Sequence, residues 1–137
     1  MSYSVSYDPT KNIVRLDVES VVDISTAKSI ATDSMKLAQV HSCKSVMVVF
    51  RDEKVAADTM SIYQFAKSLP ELGFDPSIRV ANVLPRHNPD HRFFETVAKN
   101  QGFEFRYFTD TASAEDWLSR GASNAGDARE SQEKIGR

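Results

Sequence analysis

Serine alternates with Tyr3, Val5 and Tyr7 at the head of the chain; Asp8-Pro9-Thr10-Lys11-Asn12 then supplies turn chemistry, and residues 13–18 alternate again. A period of two on both sides of a turn predicts a β-hairpin. The period then becomes helical. Ala27, Ile30, Ala31, Ser34, Leu37, Ala38 and His41 fall on one stripe, with Asp23 or Ser25 as the cap, so a helix is expected from there to about Ser42. Residues 46–50 are apolar throughout and rich in β-branched side chains, the mark of a strand in mid-sheet. A second helix starts at Thr59, with Ile62, Phe65, Ala66 and Leu69 as its stripe, Asp58 as its N-cap, and Pro70 and Gly73 closing it. Residues 78–84 read as a strand. Asn88-Pro89-Asp90 opens a third helix, which carries Phe94, Val97, Ala98 and Gln101 on one face and stops at Gly102. Residues 103–108 read as a further strand. Ser113 and Asp116 form a box-like cap for a last short helix holding Trp117 and Leu118, which Gly121 ends.

The order is ββαβαβαβα, an α/β fold with a five-stranded, mostly parallel sheet and an antiparallel first strand. Arg15 and Asp17, Arg79, and Glu104 with Arg106 interrupt their strands at alternate positions, so one face of the sheet is expected to be wet. Right-handed crossovers stepping in one direction keep the strand order unreversed and place the helices mainly on one face. The centre of the other face, drawn from alternate members of 46–50 with Ala81 and Val83, is apolar enough to favour a homodimer.

Composition narrows the classes. The chain has 137 residues, 41% of them apolar, enough for one core. A single domain over 2–120 is expected, followed by a flexible polar tail over 122–137 that has too little apolar surface to offset the entropy of ordering. With 17 basic and 19 acidic side chains evenly mixed and a net charge of −2, no surface is built for nucleic acid or anionic lipid. The longest strongly apolar run, 46–50, is far short of the roughly 20 residues of a membrane span. Cys43 is alone and no leader pattern opens the chain, so a reducing cytoplasm is the expected location.

The element order, with Asp58-Thr59-Met60-Ser61 after the central strand and at the head of the second helix, resembles the STAS fold of anti-sigma-factor antagonists, the SpoIIAA-like group. The likeness covers about residues 2–120. In that family the turn reads Asp-Ser-Ser-Gly, and its first Ser is phosphorylated to control binding of a kinase partner. Asp58 matches the Asp and Thr59 the phosphoacceptor, whereas Met60 stands for the second Ser and Ser61 for the Gly. The residues Ile62-Tyr63-Gln64-Phe65-Ala66, Val97-Ala98-Lys99-Asn100-Gln101-Gly102 and Ala114-Glu115-Asp116-Trp117-Leu118 are closer to a divergent STAS/SEC14-like branch, for which the resemblance implies a fold rather than an activity. A phosphate on Thr59 would meet the free N–H groups and the positive end of the helix dipole; the simpler role of the same residues is an Asp58 cap with an ordinary first turn.

Other motifs carry less. Residues 101–108 resemble an RNA-recognition signature, but they follow a helix, form the last strand, and put Glu104 where Gly or Ala belongs. His87 and His91 are four apart, yet Pro89 places His87 ahead of the helix, so no metal site is expected; Arg86, His87, His91 and Arg92 instead suit a loose anion site. No nucleophile elbow, phosphate loop or paired carboxylates stand out, and neither enzyme chemistry nor a cofactor is expected. The sequence therefore points to a non-catalytic regulatory domain that binds a protein partner near the starts of the second and third helices. Asp58, Thr59, Ser61 and Tyr63 would lie at its centre, with Arg86, His87, His91 and Arg92 around them. The alternative is a carrier or sensor of a small apolar or lipid-like ligand, held between helices and sheet by residues such as Phe65, Leu69, Phe93 and Phe94.

Overall fold

The computed structural model describes residues 3–127. The chain opens with β1 (Tyr3–Asp8) and β2 (Ile13–Val18), paired antiparallel. At their turn the Asp8 carboxylate accepts from the N–H groups of Thr10 and Lys11, and Asn12 takes a φ of 55°. Two-residue β3 (Val22–Asp23) then leads into α1 (Ile24–Val40), and β4 (Ser45–Phe50) follows. Another two-residue strand, β5 (Val55–Ala56), precedes α2 (Thr59–Lys67) and a 3₁₀ turn over Leu69–Leu72. The remainder is β6 (Arg79–Val83), α3 (Pro89–Asn100), β7 (Glu104–Phe108) and α4 (Thr111–Asp127).

The main sheet runs β1-β2-β4-β6-β7, antiparallel between β1 and β2 and parallel thereafter. The order is unreversed, as steady right-handed crossovers require. On one face Leu16, Val46, Val48, Val80 and Phe105 pack with Ala31 and Met35 of α1, Leu69 of the 3₁₀ turn and Ala98 of α3. Pairing of β3 with β5 forms a second, small sheet, Val22 opposite Val55, that ties the start of α1 to the approach to α2. Two-residue strands carry no periodic signal, and the sequence does not announce them.

The other face corrects an expectation. It is not left open, because α4 lies across it and buries Ala114, Trp117 and Leu118 against Ile13, Met47, Ala81 and Val83. The charged alternates flank that patch. Arg15 pairs with Asp17 at 3.0 Å, while the Arg79 guanidinium sits 4.6 Å above the Trp117 ring and donates to its backbone carbonyl at 2.9 Å. Met47, Ala81 and Val83, the surface on which a homodimer was expected, are thus interior residues of one chain. The reason lies in connectivity. α1, α2 and α3 each join two parallel strands and obey the crossover rule; α4 follows the last strand of the sheet and is free to take the uncovered side.

Helix starts follow the short polar residues. Asp23 caps α1 through the Thr26 N–H at 2.7 Å, Asp58 caps α2 through the Ser61 N–H at 2.8 Å, and Asn88 caps α3 with Pro89 in the first turn. α4 differs from its expected start. Its cap is Asp110, which accepts from the Ser113 N–H at 2.7 Å and from the Ser113 hydroxyl at 3.0 Å, so Ser113 lies inside the first turn. Nor does the backbone stop at Gly121, since α4 continues to Asp127. The rest of the expected polar tail, 128–137, lies outside the described residues. At the end of the 3₁₀ turn Gly73 has a φ of 102°, where a Cβ would be strained and would come within 3.4 Å of Met35. Among the described residues no helix is long and apolar enough to cross a membrane.

Candidate functional site

Parallel strands direct their carboxyl ends, and the amino ends of the helices that follow them, to one rim of the sheet. From that rim a cavity of about 100 Å³ extends along the sheet beneath α1, α2 and α3. Its floor includes Val48 and Phe50 of β4, Asn82 of β6 and Tyr107 of β7. Ala27 and Ala31 of α1, Ile62 and Phe65 of α2, and His91 and Phe94 of α3 form walls. Val22 and Val55, the paired residues of the small sheet, also line it. The small residues on α1 matter, because larger side chains at Ala27 or Ala31 would fill the space.

Almost all of the lining is apolar, which makes its polar members informative. Asn82 is 5% exposed and stands in register between Val48 and Tyr107, where the sheet pattern calls for an apolar residue. Its Nδ2 is buried without a hydrogen-bond partner. His91 is 6% exposed; its Nε2 makes no well-formed hydrogen bond, and its ring interacts with the Glu53 backbone carbonyl. An unpaired buried donor costs about 1–3 kcal/mol.

His91 is held by aromatic neighbours. Its ring meets Phe50 edge-on at 5.1 Å and Tyr107 at 5.2 Å, and its Nδ1 is 3.3 Å from the Tyr107 hydroxyl. Burial pushes its pKa down to about 4, outweighing the Asp90 carboxylate and the Glu53 carbonyl, which both favour the charged ring. At neutral pH the imidazole is therefore uncharged. Burial, reinforced by Glu95, holds the Tyr107 hydroxyl well above the ordinary phenol range, so that group stays protonated. Ser34 also lines the cavity, but its hydroxyl is engaged by the Ala31 carbonyl of its own helix at 2.9 Å.

The residues anticipated from sequence divide around this cavity. Asp58, Thr59 and Tyr63 are exposed at the head of α2, with Ser61 half-buried beside them, and the Asp58 carboxylate is occupied as the cap. Its pKa is lowered by the Ser61 N–H and hydroxyl. Arg86, His87 and Arg92 stand on the surface at the entry to α3, Arg86 3.7 Å from Glu53. His91 is separated from them, turned into the interior as a neutral ring, and so is unavailable to a surface anion site. Among the described residues no three His, Cys, Asp or Glu side chains converge as metal ligands. Phe65, Leu69 and Phe94 do line the cavity, whereas Phe93 does not.

Asn82, Tyr107 and Ala31 were not singled out as site residues by sequence reasoning. One signal existed for Asn82: an amide inside the apolar run 78–84 is out of place in a central strand. Compared with protein-family models, curated proteins and solved structures, the chain matches none of them.

Proposed function

We propose that this is a binding domain that takes up a small, largely apolar ligand in the cavity between the sheet and α1, α2 and α3, and that it binds its ligand without transforming it. The observation that carries this is an apolar-walled space of about 100 Å³ between the sheet and three helices, with the buried Asn82 and His91 among its few polar lining residues. Pockets that hold small molecules have this make-up, apolar walls with a few placed polar groups. Binding rather than catalysis is supported by the polar inventory: Ser34 is bound to its own helix, and the hydrogen-bonding partner of the imidazole is a phenol instead of a carboxylate.

The STAS-like resemblance is supported by the strand order and by the Asp58 cap after the central strand, while α4 on the far face departs from the one-sided arrangement expected from the crossovers.

Xenon under pressure tests the cavity directly, since it enters dry apolar cavities and is smaller than benzene, which an engineered cavity of about 150 Å³ admits. Saturable stabilisation in thermal unfolding is expected, together with chemical-shift changes at Ala31, Phe65 and Phe94, and the cavity-filling substitution Ala31→Leu should abolish both. Xenon that leaves the melting temperature and these resonances unmoved, or that acts equally on the folded Ala31→Leu variant, would refute the assignment.

A protein partner at the head of α2 is a second reading, favoured by one observation. Met60 is 62% exposed and Tyr63 41% exposed, two large side chains on the surface beside Thr59. Met60→Asp combined with Tyr63→Ala should then abolish association with a partner captured from the native cells while leaving the melting temperature within about 2 °C. Undiminished capture by that double variant would remove the surface from consideration.

A further inference from the structure

Basic and acidic residues are evenly mixed along the chain, yet the fold gathers three arginines on the sheet face opposite the cavity. Arg79 of β6 and Arg106 of β7 both point to that face, because their neighbours Val80 and Phe105 are buried on the other. In the parallel register Arg79 stands opposite Glu104 and Ala81 opposite Arg106, so the two arginines are diagonal neighbours, a spacing that long side chains bridge. Arg120 of α4 stands close enough for its charge to act on the Arg79 guanidinium.

We propose that Arg79 and Arg106 form a binding site for a small phosphate monoester, separate from the cavity and on the other side of the sheet.

The Arg79 guanidinium is held in place without a ligand. It lies 4.6 Å above the Trp117 ring and Nη1 donates to the Trp117 carbonyl at 2.9 Å, while the rest of its fork has no hydrogen-bond partner among the described residues. A planar fork already fixed loses less freedom when it captures an anion. Among the described residues neither Arg79 nor Arg106 is ion-paired with a carboxylate, whereas Arg120 is taken by Asp116 at 2.7 Å. Glu104 faces the two free guanidiniums and offsets only one of them, so the patch stays net positive. Burial holds the Arg79 pKa below the ordinary guanidinium range; Glu104 opposes this, and Arg120 and Arg106 add to it. An incoming anion relieves that repulsion between like charges.

Geometry chooses among anions. A carboxylate has two oxygens in one plane and is filled by a single fork, but a phosphate monoester has three terminal oxygens and up to two negative charges, enough for both. Two arginines beside Glu104 make too short a track for a nucleic-acid backbone.

The chain has one tryptophan, and Arg79 lies on its ring, so Trp117 fluorescence reports on the site. At pH 7.5 and constant ionic strength, methyl phosphate should change the emission saturably, acetate should bind more weakly, and chloride should give no saturable change. Arg106→Gln should weaken methyl phosphate binding about threefold and Glu104→Gln should tighten it about threefold, each the worth of one exposed ion pair. Both side chains are exposed, so both variants should fold as the wild type does. Indistinguishable responses to methyl phosphate and chloride, tighter binding of acetate, or an affinity that either substitution leaves unmoved would each overturn the site. None of these results bears on the cavity, which the sheet separates from it.

Discussion

Trp117→Ala is expected to lower folding stability by about 3–5 kcal/mol, seen as a shift of the urea midpoint, and to make the protein self-associate. Trp117 is 8% exposed and is the largest side chain of the cluster beneath α4, packing with Phe108 at 5.7 Å between ring centres and carrying the Arg79 guanidinium on its face. Its removal leaves a cavity and weakens the seat of the one helix that covers the second face. Behind that helix lie Met47, Ala81 and Val83, an apolar patch of the kind that drives association once exposed. Sedimentation velocity should show a monomeric wild-type chain and a concentration-dependent larger species for the variant. Wild-type behaviour in both measurements would mean that α4 contributes little to the closure of this face.

Acid is expected to destabilise the protein well before its carboxylates titrate. His91 is buried neutral with a pKa lowered from 6.5 to about 4, chiefly by burial. Between those values the unfolded chain binds a proton that the folded chain refuses, so stability falls as pH falls. The loss begins near 6.5, reaches about 3 kcal/mol near pH 4, and levels off below that as far as this group is concerned. The charged and titratable groups around the ring are Asp90 on the same helix, Glu53 in the connection after β4, and Tyr107 on β7; the first two moderate the effect without cancelling it. Asp23, Asp58 and Asp75 have pKa values lowered from 3.8 by the hydrogen bonds they accept, so their contributions are lost only at more acidic pH. Urea unfolding at pH 7, 6, 5 and 4.5 should show the slope, and His91→Phe should remove it in this window. An equal slope in the folded variant would assign the acid sensitivity elsewhere. The same experiment bears on the cavity, because protonating His91 adds a charge to an apolar space and should expel an uncharged ligand.

Hydrophobic period and punctuation were enough to find the elements that form the main fold. The alternation around Pro9, the unbroken run before Arg51 and the caps at Asp23, Asp58 and Asn88 act within a few residues of chain, where sequence and local structure are coupled directly. The strand order was also legible, since crossovers have a fixed hand. The site was legible only in its walls. Phe65, Leu69 and Phe94 were anticipated, and His91 was singled out for a surface task that its burial prevents.

By itself, then, the sequence determined the elements, their order, and the single direction in which β2, α1, β4, α2, β6, α3 and β7 step across the sheet, because these follow from side-chain periodicity and chirality. Tertiary structure alone decided the rest. A helix after the last strand answers to no handedness rule, so α4 settled wherever apolar surface was still uncovered. Asn82 and His91 are nine residues apart and on different elements; only the pairing of β6 with β7 and the packing of α3 bring them to one cavity, and no local pattern encodes that meeting.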